Sequence, residues 1–174
     1  MRSADGWSTM TNRDRLQDEA DITRVLHDYC RAIDRMDMPL LAECYWPDAH
    51  DDHGGFSGTA PEFIAWVRTL LLRQTMTQHV LSNIVIDIAE DRAVSESYVV
   101  AYHRGPADDA RWNFVAGCRY SDVFERREGR WRIADRVTII EWTVPLAAED
   151  PIRDGRFGVP RAARDRTDPS YRVP

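Results

Sequence analysis

The hydrophobic period of this chain changes once along its length, and that change limits the folds open to it. Through Leu71, apolar residues return every three or four positions; beyond Thr75 they return every second position, in long runs separated by turn residues. The first pattern is that of helices with one buried face, the second that of half-buried strands. Helices first and a meander of strands afterwards predict an α+β domain.

Local signals agree. Ile22, Val25, Leu26, Tyr29, Cys30 and Ile33 form one stripe of a first helix, and Asp34 lies at the edge of that stripe near the helix end. A carboxylate there opposes the negative end of the helix dipole, so it needs a partner. Asp37 caps a second helix from Pro39 to about Trp46, stopped by Pro47. Residues 49–55 read as a strand or strand-like loop. Thr59 and Glu62 make a capping box that opens a third helix through Ile64, Val67, Leu70 and Leu71. Strands are predicted over 79–89, 93–104, 112–126 and 131–142, with a hairpin turn at Glu128-Gly129. A chain of 174 residues fits one domain. It divides into an N-terminal arm (1–14), the domain itself (15–143) and a tail (144–174) rich in Pro, Arg and Asp. The tail is expected to pack on a pocket or on a neighbouring subunit.

Composition removes several functions. All 23 basic residues are arginine, so lysine Schiff-base and PLP chemistry and a lysine-bearing phosphate loop are excluded. A net charge of −6 argues against nucleic-acid binding. Cys30, Cys44 and Cys118 stand far apart with no CxxC pair, the usage of buried thiols in a reducing compartment. The first residues lack the apolar core of a signal peptide, and no run reaches membrane-spanning length. A cytoplasmic protein without membrane partners is expected.

Four groups of residues could carry chemistry. Tyr29, Asp34 and His79 combine a hydrogen-bond donor, a carboxylate and an imidazole, the parts of a proton-transfer site; by residue pattern alone, a tyrosine in a helical stripe is more often core and a histidine opening a strand more often structural. His50-Asp51-Asp52-His53 has metal-ligand residue types, but residues three apart on a strand face opposite sides, so a metal is not expected and His53 reads as a pocket-rim residue. Arg119 either pairs with a carboxylate or stabilises a departing anion. Tyr45, Trp46 and Tyr102, with His103 as the polar member, are candidate walls of an apolar substrate pocket among aromatics that mostly fill the core.

The helix Tyr29-Cys30-Arg31-Ala32-Ile33-Asp34, the segment Thr77 to Asn83 and the hairpin from Gly117 to Ile133 together resemble the SnoaL-like branch of the NTF2-like superfamily over residues 14–143. The resemblance implies a cone, with a curved antiparallel sheet wrapped around N-terminal helices and an internal pocket. Tyr29, Asp34 and His79 are similar in placement to residues of bile-acid 7α-dehydratase. The Asp34–His79 pair also resembles that of hexachlorocyclohexane dehydrochlorinase, with Arg119 in the place of its arginine, and scytalone dehydratase is more distantly similar. The implied protein is a lyase that needs no cofactor and acts on a hydrophobic cyclic or aromatic small molecule. It would assemble as a homo-oligomer, a trimer in preference to a dimer. A formaldehyde-releasing carbon–carbon lyase, a ketosteroid-type isomerase and a non-catalytic binding module are the alternatives. The stretch from His50 to His53 has no counterpart role in those relatives.

Overall fold

The computed structural model describes residues 12–106, 108–147 and 162–171. Helix α1 (Asn12–Arg35) is followed by α2 (Met38–Glu43), strands β1 (Tyr45–Asp52) and β2 (Ser57–Thr59), and helix α3 (Ala60–Leu71). Strands β3 (Met76–Ala89), β4 (Arg92–Arg104), β5 (Phe114–Arg127) and β6 (Arg130–Pro145) complete the domain. They form one six-stranded sheet in the order β2-β1-β6-β5-β4-β3. Every neighbouring pair is antiparallel except β1 and β6, which run parallel.

The stripe on α1 is the seed of the core. Ile22, Leu26, Tyr29 and Ile33 are almost wholly buried against Leu41, Phe63, Phe124 and Ile133. Each such apolar side chain contributes about 1.5–3 kcal/mol relative to exposure, which fixes the rotation of α1 over the sheet. The capping box of α3 forms as its residues require: the Glu62 carboxylate accepts from both the backbone N–H and the hydroxyl of Thr59, at 2.9 and 2.7 Å.

Several boundaries differ from expectation, among them the start of β3, which opens at Met76 rather than at 79. The second helix ends at Glu43, and Tyr45 and Trp46 open β1 instead. Pro47 is tolerated in that strand because the pairing of β1 with β6 is interrupted between Tyr45 and His50, so its missing N–H breaks no ladder bond. The last strand runs on to Pro145. Its pairing with β5 slips at Gly117/Cys118, where Cys118 faces Ile140 and Gly117 faces Trp142, leaving Glu141 as an extra residue. The same pair slips again between Val123 and Phe124, where Ala134 is the extra residue, and a slip between Ser82 and Val85 of β3 accompanies Asn83 at φ 48°.

Candidate active site

Asp34 and His79 meet at the end of α1. His79 Nδ1 lies 2.7 Å from Asp34 Oδ1, and the backbone N–H of His79 donates to Asp34 Oδ2 at 2.9 Å. The strand position of His79 and the helix end at Asp34 explain each other: the carboxylate that the helix dipole disfavours is satisfied twice by one residue of β3. The carboxylate fixes the imidazole with its proton on Nδ1. Among the described residues Nε2 has no hydrogen-bond partner.

The pair borders a cleft of about 610 Å³ lined by Cys30, Arg31, Arg35 and Leu81, and on its far side by Ala162, Asp168 and Ser170. These last belong to the tail, which is tied down by Arg35 to Asp168 (3.1 Å) and by Tyr171 and Arg166 to Asp37 (3.0 and 2.9 Å). Arg164 donates to the carbonyls of Leu71 and Gln74 at the end of α3, both at 2.7 Å. Burial lowers its pKa, and Asp34 acts against that lowering. Its Nε is buried without a partner among the described residues.

His103 lies beside the pair on β4. Its ring meets that of His79 edge-on at 5.8 Å, stacks on Phe114 at 4.4 Å, and places Nδ1 3.1 Å from Gln74 Oε1. Burial, and then the neighbouring His79, lower its pKa to about 3, so it works as a neutral imidazole.

The other expected residues separate by strand parity. Tyr102 neighbours His103, points to the opposite face of the sheet and is 37% exposed. Arg119 also lies on that outer face, paired with Glu96 and Glu141 at 2.7 Å each, which corrects the expectation that it stabilises charge in the site. Trp46 is buried away from the cleft, its Nε1 donating to the Glu125 carbonyl and its ring flanked by Arg127 and Arg132. Tyr45 faces inward and donates to Asp51 at 2.6 Å. Tyr29 is a core residue packed edge-on against Tyr45 and Tyr120, and burial raises its pKa, so it stays a neutral phenol.

The arginine that does face inward is Arg136. It has no exposed surface, forms a bidentate pair with Asp122 at 2.6 and 2.8 Å, and sits between the rings of Tyr29 and Tyr120 at 4.0 and 4.1 Å. Its Nη1 has no partner among the described residues. Nothing in the local sequence separates it from Arg132 or Arg130; the slip that leaves Ala134 as an extra residue between Ile133 and Asp135 does, by reversing which residues of β6 face inward. The two histidines of the 50–53 stretch diverge, His50 outward toward Asp135 and His53 inward. Among the described residues no cluster of three or more metal-ligating side chains occurs.

Helices laid against a curved, mostly antiparallel six-stranded sheet, with the polar pair between the first helix and the edge strand, define the NTF2-like α+β class. The SnoaL-like domain model matches residues 14–137, and the chain belongs to that family. A protein of Mycobacterium tuberculosis without an assigned function is 30% identical over 126 residues, 70% of this chain and 84% of its own. Solved structures share the fold. A protein of Novosphingobium aromaticivorans provisionally assigned as a scytalone dehydratase superposes with a TM-score of 0.71 at 24% identity, over 82% of this chain and 98% of its own. The hexachlorocyclohexane dehydrochlorinase LinA-type3 of Novosphingobium barchaimii gives 0.70 at 22%, over 79% and 95%. The structural neighbours thus include lyases. Among the described residues no helix is long and apolar enough to cross a membrane.

Proposed function

We propose that the protein is a cofactor-independent lyase that eliminates water from a hydrophobic cyclic or aromatic small molecule. The observation that carries this reading is the double grip of Asp34 on His79, which leaves Nε2 as an oriented base beside a cleft. His79 would take a proton from a carbon acidified by a neighbouring carbonyl or conjugated system, and Asp34 would stabilise the imidazolium that forms. Such a base supplies about 10²–10⁴-fold, so positioning of the substrate must supply the rest. The cation of Arg136, held beneath the concave face by Asp122, favours negative charge developing above it.

The apolar outer face of the sheet, with Val94, Tyr98, Tyr102 and Trp142 exposed, supports self-association, with a trimer the expected assembly. Light scattering of the purified protein measures its mass directly.

The test is mass spectrometry after incubation with hydroxylated steroids, lignin-derived diaryl alcohols and chlorinated cyclohexanes, run beside His79→Ala. Loss of one water with the wild type alone supports the reading. Loss of formaldehyde assigns the carbon–carbon lyase, and isomerisation without a change in mass assigns the isomerase. Equal turnover by His79→Ala removes the base.

A further inference from the structure

The stretch His50-Asp51-Asp52-His53 has no part in the reaction as described so far. On β1 the two-residue period turns His50 outward, where it is half exposed, and turns Asp51 inward, where it has no exposed surface. His53 follows Asp51 on the inner side. Asp51 Oδ2 accepts from the Tyr45 hydroxyl at 2.6 Å, and Oδ1 lies 3.2 Å from His53 Nδ1. Thr138 Oγ1 is 3.0 Å from the same nitrogen. The interior therefore holds a second carboxylate–imidazole pair, built like Asp34–His79.

We propose that His53, oriented by Asp51 and Thr138, is a second proton-transfer residue of this site, the acid that protonates the leaving oxygen while His79 removes the carbon-bound proton. This inference rests on the elimination reading above.

Sheet register places the two pairs on one surface. Asp51 is the partner of Arg136, Thr138 of Tyr120, and the inner row that holds Ala116 continues through Ala101 to His79. The His53 ring is walled by Phe63 at 5.1 Å, Trp66 at 6.2 Å and Tyr120 at 6.5 Å, faces suited to a flat apolar ligand. Between the pairs, Ile140 faces inward by its pairing with Cys118 and yet is 56% exposed, so the floor there is open. His53 and His79 both act electrostatically against protonation of His103, whose ring meets that of His79 at 5.8 Å. Among the described residues, Nε2 of His53 has no hydrogen-bond partner.

In the step, the carbon–hydrogen bond breaks toward His79 Nε2 and its electron pair becomes the new carbon–carbon π bond. The carbon–oxygen bond breaks, and the leaving oxygen takes the proton of His53 Nε2 and departs as water. His79 ends protonated and His53 neutral; solvent removes the first proton and restores the second.

Two measurements test this. Nitrogen-15 spectra of the histidine-labelled protein without ligand should show His53 with a proton on both ring nitrogens, Nδ1–H held by Asp51 and Nε2–H available to the leaving oxygen, a state lost in Asp51→Asn. A ring with no proton on Nε2 overturns the proposal, because no acid would then face the leaving oxygen. The second compares a β-hydroxy aryl ketone with its β-chloro counterpart, rates being read above background. Chloride leaves without a proton, whereas hydroxide does not. His53→Gln should lower kcat for the hydroxy compound about 10²–10³-fold with KM little changed, and lower the chloro rate less than about fivefold. Equal loss on both compounds, or on neither, overturns the acid role, and circular dichroism of His53→Gln separates misfolding from chemistry. His79→Gln should lose both. If it retains both, the elimination reading itself fails, as it does for this substrate class if the wild type turns over neither compound.

Discussion

Asp34 holds His79 by both ends, one carboxylate oxygen on the ring and the other on the backbone N–H of the same residue. Ring and strand are therefore positioned by a single side chain. Asparagine in place of Asp34 can satisfy only one bond as before. If its oxygen takes the backbone N–H, its amide presents N–H to Nδ1 and drives the imidazole proton to Nε2, where a base needs its lone pair. Asp34→Asn should therefore lower turnover by about 10²–10⁴-fold while the fold survives, with KM changed much less. Steady-state kinetics and the nitrogen-15 shifts of His79 check the two halves of this expectation.

Arg136 and Asp122 give a stability prediction. Arg136→Met leaves the Asp122 carboxylate buried without its cation and should cost about 3–5 kcal/mol in urea denaturation. The double variant Arg136→Met/Asp122→Leu should recover most of that loss, since no charge remains stranded. Turnover should stay low in both. Arg119→Gln, on the outer face, should leave turnover as it was; a large drop would return Arg119 to the site.

This contrast shows what the sequence could and could not say. The change of hydrophobic period, the capping box and the odd position of Asp34 were all legible, because each is a local property of a few side chains. Which arginine faces inward was not. Arg119 and Arg136 both lie in alternating strands, and the face each shows depends on register and, for Arg136, on the slip that leaves Ala134 unpaired, a feature of two strands together. Tyr102 and His103 could have been separated from the start, since adjacent strand residues cannot line the same wall. Tyr45 and Trp46 escaped that reasoning because they were expected on a helix. Arg164 had no signal at all: its place depends on where the tail lands.

His103 predicts a pH dependence. Burial, with His79 beside it, lowers its pKa from 6.5 to about 3. Between those values the unfolded chain carries a proton that the folded chain does not, so acid favours unfolding. The contribution is complete above about pH 6.5 and shrinks as pH falls toward 3. Denaturation midpoints of the wild type and His103→Gln should converge between about pH 7 and about pH 5 if this holds; parallel curves would refute it.

Gly117 has no room for a side chain. A Cβ there would stand 2.2 Å from the indole of Trp142, its cross-strand partner. Gly117→Ala should displace the indole, shift tryptophan emission to the red and cost about 1–3 kcal/mol. Because Trp142 belongs to the exposed apolar face, the same variant should weaken any assembly formed there, which light scattering would show.

The tail that lines the cleft also sets an order of events. Helix α1 supplies Asp34 and Arg35 early in synthesis, and β3 supplies His79, but the opposite bank comes from residues 162–171. A nascent chain halted after β6 would already own its sheet, its core and its reactive pair, with the bank that faces them still unmade. Only when Arg164, Asp168 and Tyr171 have emerged can the end of the first helix and residues 162–171 clasp each other. The site is thus finished only after residues 162–171 have been made, from two distant parts of the described chain.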